Sequence, residues 1–103
     1  KMDKLKLVLN YIEKNFAHAI SIEEIALLCH FSQSHFMKFF KNCTGTSFIT
    51  YLNDYRLIIA ARILKTTTQP VIIVASDCGF DNISYFNRKF KEKYGVSPRE
   101  FRK

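Results

Sequence analysis

Apolar residues recur at intervals of three and four along the first half of the chain, a spacing that predicts amphipathic helices. The first series predicts a helix over roughly residues 3 to 16: Leu5, Val8, Leu9, Ile12 and Phe16. Ser21 and Glu24 match a capping box and predict a short helix that ends near Cys29. Ser32 can cap a third helix, which ends at Gly45. This helix is predicted to carry Phe36, Phe39, Phe40 and Cys43 inward.

A longer helix is predicted between Ser47, which can cap it, and Lys65, after which three threonines interrupt the pattern. Its predicted apolar stripe comprises Phe48, Tyr51, Leu52, Tyr55, Ile59 and Ile63. Pro70 opens the next segment, residues 71 to 78, in which four consecutive residues from Val71 to Val74 are β-branched. By propensity alone this segment resembles a strand.

An internal repeat overrides that propensity. Ile25, Ala26, Cys29, His30 and Phe31 recur in character 49 positions later as Val74, Ala75, Cys78, Gly79 and Phe80. Ser34, Phe36, Lys38, Phe40, Lys41, Gly45 and Ser47 recur 50 positions later as Ser84, Phe86, Arg88, Phe90, Lys91, Gly95 and Ser97, so one residue has been added in the second turn. A duplicated helix-turn-helix unit predicts the same secondary structure in both copies, so residues 71 to 78 are predicted to be helical.

The two predicted turns differ at one position. Gly79 can adopt a left-handed conformation at little cost, whereas His30 in the matching place is either strained or part of a different turn. Ala26 and Ala75 are small where the two helices of each unit must approach closely.

The second helix of each unit has an outward face suited to reading a nucleic-acid groove, because its phenylalanines occupy the opposite face. The first face offers Ser34, Met37, Lys38 and Lys41, and the second offers Ser84, Asn87, Arg88 and Lys91. Arg88 can make a bidentate contact to guanine, and Asn87 can pair with adenine. Met37 and Ile83 can make only apolar contacts, for example to thymine methyl groups.

Charge agrees with a polyanionic partner. The 103 residues include 16 Lys and Arg against nine Asp and Glu, a net charge of +7. Residues 84–103 hold seven basic and two acidic residues, a net +5, whereas residues 1–37 hold four of each. Nucleic acid is therefore the first candidate partner and an anionic surface the second. The long helix is roughly 28 Å long at about 1.5 Å per residue, and adjacent major-groove segments on one side of a duplex lie roughly 34 Å apart.

Composition also limits the class of protein. The length allows one compact domain or two very small subdomains. The three cysteines, Cys29, Cys43 and Cys78, lack zinc-ligand spacing, and we expect them to be reduced and buried. The sequence has neither a membrane-length apolar stretch nor a signal peptide, so we expect a soluble cytoplasmic protein. Hydrolase and transferase motifs are also missing from it, so we predict no catalytic residue, metal or cofactor.

The chain resembles the AraC/XylS family of bacterial transcription regulators over essentially its whole length. The most specific stretch runs from Gly79 through Lys91, followed by Gly95-Val96-Ser97-Pro98 and Phe101-Arg102. The run from Tyr51 to Leu64, with Arg56-Leu57 and Ala60-Ala61, is similar to the linker helix of that family.

The resemblance implies an all-α fold of seven helices, with helix-turn-helix subdomains at residues 1–46 and 66–103 joined by a linker helix at 47–65. It implies activation or repression of transcription through double-stranded DNA and RNA polymerase, with no cofactor. The implied base-contacting positions are Ser34, Met37, Lys38, Ile83, Ser84, Asn87 and Arg88. Met37 stands where the family commonly has a polar residue, so the first unit is expected to read less sequence. Most members carry a further N-terminal domain, and Lys1 favours an excised C-terminal domain that is monomeric alone.

Several alternatives remain open. We predict phosphate contacts from Lys41, Lys89 and Lys91. A solvated helix face explains the charge run of Lys89, Lys91 and Lys93 equally well. Arg56 can meet phosphate or pair with Asp81 or Asp54. Ser34 and Ser84 can be helix caps rather than base contacts. The alternative function is a basic helical module that binds an acidic protein or an anionic surface.

Overall fold

The structure is a computed structural model that describes residues 2–103, except for the side chain of Met2. This part of the chain contains helices and no strand. The helices are α1 (Met2–Asn15), α2 (Ile22–Leu28), α3 (Gln33–Thr44), α4 (Phe48–Thr66), α5 (Val71–Asp77), α6 (Ile83–Tyr94) and α7 (Pro98–Arg102). The expected all-α fold with seven helices is confirmed, and so is the helical state of the β-branched segment, which forms α5.

The chain divides into two compact units within α4. The first unit ends at Asn53 and the second begins at Asp54. The first unit therefore contains α1, α2, α3 and the start of α4, and the second contains the rest of α4 with α5, α6 and α7.

The first unit is built around phenylalanines of α3. Phe36 and Phe40 are fully buried, and each ring lies 5.5 Å from the ring of Phe48 at the start of α4. Val8 and Ile12 of α1, one helical turn apart, are buried. Serine caps fix the start of two helices: the Ser21 hydroxyl accepts from the Glu24 amide in a complete capping box, and Ser32 caps α3.

The second unit repeats this core with equivalent residues. Phe86 and Phe90 of α6 are fully buried, and the ring of Phe80 lies 5.0 Å from that of Phe86. The ring of Phe101 in α7 lies 5.2 Å from that of Phe90 and closes the core.

The long helix α4 does not bury a single stripe. Phe48 and Leu52 are buried in the first unit, whereas Leu57, Ala60, Ala61 and Leu64 are buried in the second. Tyr51 is half-buried and packs in the first unit, where its ring centroid lies 5.3 Å from that of Phe40. The predicted stripe was wrong for Tyr55, Ile59 and Ile63, which are only half-buried. The reason is that each half of the helix packs within its own unit, so the buried positions do not keep one periodicity along its length.

The cysteines divide into two kinds. Cys29 and Cys78 are buried as expected, and burial raises the pKa of the Cys78 thiol to about 11, with Asp77 adding to the effect and Arg56 opposing it. Burial likewise raises the pKa of Cys29. The expectation was wrong for Cys43, which is exposed because the last turn of α3 extends beyond the core that Phe36, Phe39 and Phe40 enter. None of the helices described for residues 2–103 combines the length and the apolar character of a membrane-spanning segment.

Candidate nucleic-acid interface

Helices α3 and α6 occupy the same place in their respective units. Each has 12 residues, and each ends at a left-handed glycine with φ of 82°, Gly45 or Gly95. The amide of Gly45 donates to the carbonyl of Lys41, and that of Gly95 donates to the carbonyl of Lys91, both at 2.8 Å. The two helices therefore have the same length and end with the same backbone hydrogen bond, as expected from their repeated sequences.

The turns before these two helices begin with the same backbone hydrogen bond. The Phe31 amide donates to the Ala26 carbonyl at 3.0 Å, and the Phe80 amide donates to the Ala75 carbonyl at 3.0 Å. The residue before each phenylalanine is left-handed, and at His30 φ is 61°. Of the two alternatives for His30, the strained left-handed turn is the one observed. The second turn, residues 78–82, is one residue longer than the first, residues 29–32, as the repeat predicts.

The caps of the two helices exclude one of the two roles considered for Ser34 and Ser84. Ser32 caps α3 through the His35 amide at 3.1 Å, and Asn82 caps α6 through the Tyr85 amide at 2.9 Å. Ser34 and Ser84 are both exposed and both second in their helices, so neither is the N-cap. Their hydroxyl groups lie at the N-terminal end of the helix, from which a recognition helix contacts base edges.

The outward face of α3 consists of exposed side chains opposite its buried phenylalanines. Ser34, Met37, Lys38 and Lys41 are all exposed, and 49% of the surface of Met37 is accessible. His35 is also exposed, but its ring stacks on that of Phe31 at 4.0 Å between centroids. The structure therefore brings the four predicted residues of the first unit onto one helix face.

The outward face of α6 is similar, but Asn87 and Arg88 replace Met37 and Lys38 of α3 and offer more hydrogen-bonding groups. Ser84, Asn87, Arg88 and Lys91 are exposed, whereas Ile83 is half-buried. The Arg88 guanidinium lies 5.2 Å from the centroid of the Tyr85 ring, a cation–π geometry that restricts its position. A restricted arginine loses less conformational entropy when it makes a bidentate contact.

Two basic residues of α6 that lie outside this face have acidic partners. Lys89 Nζ lies 3.4 Å from Glu92 Oε1, and Lys93 Nζ lies 4.0 Å from Asp54 Oδ1. Because these pairs are exposed, each contributes little stability and can be given up for another anion. Lys89 is thus available to a phosphate only in competition with Glu92, whereas Lys41 and Lys91 are simply exposed.

Arg56 lies half-buried in the second unit. Burial lowers the pKa of its guanidinium, and the negative charge of Asp81 acts in the opposite direction. The side chain remains charged at neutral pH. The charge of Asp81 thus stabilises the charged form of this guanidinium.

One feature of the second unit is not predicted from its sequence. A groove of about 680 Å³ lies along α6, and its walls are the first residues of α5 and the N-terminal part of α7. Asn87, Arg88 and Lys91 line it together with Arg99 and Arg102. No single helical pattern predicts this groove, because its residues come from three helices.

Comparisons with known proteins agree with the duplicated architecture. The sequence profile of the Helix-turn-helix domain family matches residues 29–103. AdaA of Bacillus subtilis (strain 168), a bifunctional transcriptional activator/DNA repair enzyme, is 33% identical over 96 residues, which are 93% of this chain and 46% of that protein. The chain spans less than half of AdaA and of four further relatives.

Solved structures share the fold over almost the whole chain. A transcriptional regulator from Chromobacterium violaceum, described among AraC-type DNA-binding domain-containing proteins, has a TM-score of 0.90 and 26% identity, covering 98% of this chain and 90% of that one. The DNA-binding domain of AdpA, a global transcriptional factor crystallised with a target DNA, has a TM-score of 0.88 and 26% identity, covering 96% and 88%. The chain belongs to the AraC family of helix-turn-helix transcription regulators.

Proposed function

We propose that this chain is the sequence-specific DNA-binding domain of a bacterial transcription regulator, and that α3 and α6 enter successive segments of the major groove. The observation that carries the proposal is the duplication of an exposed polar and basic helix face. At matching positions the two helices each have two buried phenylalanines and an exposed serine, cation and lysine. Core packing does not require such a match on the solvent side.

The second unit makes the more specific contacts in this proposal. Arg88 contacts guanine through its planar guanidinium, and Asn87 contacts adenine through its amide. The Ser84 hydroxyl accepts or donates a hydrogen bond to a base near the start of α6, and Ile83 makes an apolar contact with a base. In the first unit Ser34 and Lys38 contact base edges, and Met37 makes apolar contact with a thymine methyl group.

Phosphate contacts hold the two helices in register on the duplex. Lys41, Lys89 and Lys91 are the proposed donors, since phosphates attract exposed lysines without regard to sequence. Lys89 makes the weakest of these contacts because it must leave Glu92, 3.4 Å away.

The proposed organisation has two helix-turn-helix subdomains, residues 1–46 and 66–103, with a linker helix at 47–65. The 19 residues of α4 give this helix a length of roughly 28 Å. That length is similar to the roughly 34 Å between major-groove segments on one side of the duplex.

The role of the whole protein is part of the proposal. The chain binds double-stranded DNA without catalysing a reaction, acts in the cytoplasm as a monomer when isolated, and affects transcription through RNA polymerase. Support for this comes from the relatives, which are named as transcriptional activators or regulators. The alternative function, binding of an acidic protein by a basic module, agrees equally well with the positive charge of the chain. It does not explain why the exposed faces of α3 and α6 match.

Fluorescence anisotropy with a labelled duplex selected from a random pool tests the proposal. We expect Arg88→Ala to weaken binding to the selected duplex by about 1 to 3 kcal/mol and to have little effect on random duplex. The control is Arg62→Ala, which removes the same charge from an exposed position of α4. Affinity is also expected to fall steeply with salt, because bound phosphates release counterions.

Two results contradict the proposal. If Arg88→Ala weakens binding to both duplexes equally, Arg88 is a phosphate contact and not a base contact. If the wild-type chain binds the selected duplex no more tightly than an acidic polypeptide of equal charge, the alternative function replaces this one.

A further inference from the structure

The groove beside α6 combines apolar walls with basic side chains. Val71, Ile72 and Pro98 supply apolar surface, and most of the exposed lining is apolar. Arg99 and Lys91 are exposed at the same groove, and no acidic residue of the described chain lines it. Its volume, about 680 Å³, lies within the range of about 300 to 1,000 Å³ that is typical of small-molecule sites.

The internal repeat shows which of these residues are special to the second unit. Ile72 stands where the first unit has Glu23, and Arg99 stands where it has Ile49. Relative to its copy, the groove has therefore lost an acid and gained a cation at exposed positions, although the surrounding helices kept the same fold. Ile72 is 59% exposed, so its apolar side chain is accessible to a ligand in the groove.

Arg102 adds a buried donor at the groove. It stands where the first unit has Leu52, and its Nε donates to the Leu64 carbonyl at 3.0 Å. Its Nη2 is buried and has no hydrogen-bond partner within the described part of the chain. A buried donor on a charged group is costly when it lacks an acceptor, so an anion near this guanidinium would stabilise the unit.

We propose that this groove binds a small organic carboxylate with an aromatic or short alkyl body. The carboxylate lies between Arg99 and Arg102, and the apolar body packs against Val71, Ile72 and Pro98. The apolar walls favour such a ligand over a phosphate, which offers no apolar surface to bury.

The consequence of binding, unlike the binding itself, rests on the proposed function. Asn87, Arg88 and Lys91 line the same groove and are the proposed DNA contacts of α6. A carboxylate seated there competes with the duplex for these side chains, so the ligand would weaken DNA binding.

An NMR titration of the 15N-labelled chain with 4-phenylbutyrate tests the proposal. We expect saturable shifts at the amides of Ile72, Ile83 and Arg99. The neutral analogue 4-phenylbutanol measures the apolar contribution to binding, and inorganic phosphate measures the anionic contribution. Each is expected to bind at least about ten-fold more weakly than 4-phenylbutyrate. Saturation of the same amides by inorganic phosphate at equal or lower concentration overturns the proposal and identifies a phosphate site.

Ile72→Glu restores the residue type of the first unit and is expected to weaken binding of 4-phenylbutyrate by about ten-fold or more. The matched control is Leu27→Glu, which makes the same kind of change at a residue of α2 that is 72% exposed. Both positions are on the surface, so both variants are expected to fold, which their spectra check. Unchanged binding by Ile72→Glu overturns the proposal.

The failure of this inference can be told apart from failure of the proposed function. If the chain binds selected DNA but 4-phenylbutyrate causes no shifts at the amides of the groove, only the carboxylate site is contradicted. A chain that binds 4-phenylbutyrate in the groove but no duplex contradicts only the DNA-binding function.

Discussion

Replacing His30 by glycine is expected to stabilise the first unit. Among residues 2–103, His30 is the only residue other than glycine with a positive φ, at 61°. Its counterpart in the second unit is Gly79, with φ of 97°. The His30 side chain is exposed, so its removal leaves no cavity.

The size of the effect follows from two opposing terms. A left-handed conformation costs a residue with a Cβ atom about 1 to 2 kcal/mol. Glycine offsets part of this gain, by about 0.5 to 1 kcal/mol, because its unfolded chain has more conformational entropy. The midpoints of these two ranges leave a net stabilisation of about 0.75 kcal/mol, which corresponds to a rise in Tm of about 3 to 6 °C for a chain of this size.

Thermal unfolding followed by circular dichroism and calorimetry measures this difference. The control is Gly45→Ala, since Gly45 has φ of 82° and an added Cβ would meet no atom within 4 Å. This variant introduces backbone strain without a clash and is expected to lose about 1 kcal/mol. If His30→Gly leaves Tm unchanged while Gly45→Ala lowers it, the reasoning about strain in the first turn is refuted.

Two further predictions concern thiols and phosphates. At pH 7.5, Cys43 is expected to react with Ellman's reagent much faster than Cys29 and Cys78. Cys43 is exposed, whereas burial raises the pKa of Cys29 and Cys78. Equal rates for all three thiols would contradict the burial of Cys29 and Cys78. Lys91→Ala is expected to reduce the slope of log K against log salt by about 1 and Lys89→Ala by less, since Lys89 already faces Glu92; a larger change for Lys89→Ala would reverse their proposed roles.

Much of the fold could be predicted because the two copies constrain each other. The β-branched run from Val71 to Val74 favours a strand, yet tertiary packing of the copied unit makes it the helix α5. The exposed and buried faces of α3 and α6 also followed from the spacing of their phenylalanines. Local sequence was sufficient wherever one helix packed one face into one core.

The predictions failed where position depended on more than one element. Cys43 follows the helical spacing of Phe36 and Phe40 but lies past the end of the core, a limit that spacing alone does not reveal. Tyr55 was assigned to a stripe that continues from Phe48, although the second half of α4 packs in the second unit. The groove at Arg99 depends on the packing of three helices, so only the structure locates it.

Selection of duplexes from a random pool by the purified chain tests the central claim most directly. If α3 and α6 both bind the major groove, the enriched sites contain two conserved segments whose centres lie about 10 to 10.5 base pairs apart. We expect Arg88→Ala to relax sequence preference in one segment and Lys38→Ala to affect the other. Enrichment of one segment only, or a pool that stays random after repeated selection, would contradict the claim that α3 and α6 each read DNA.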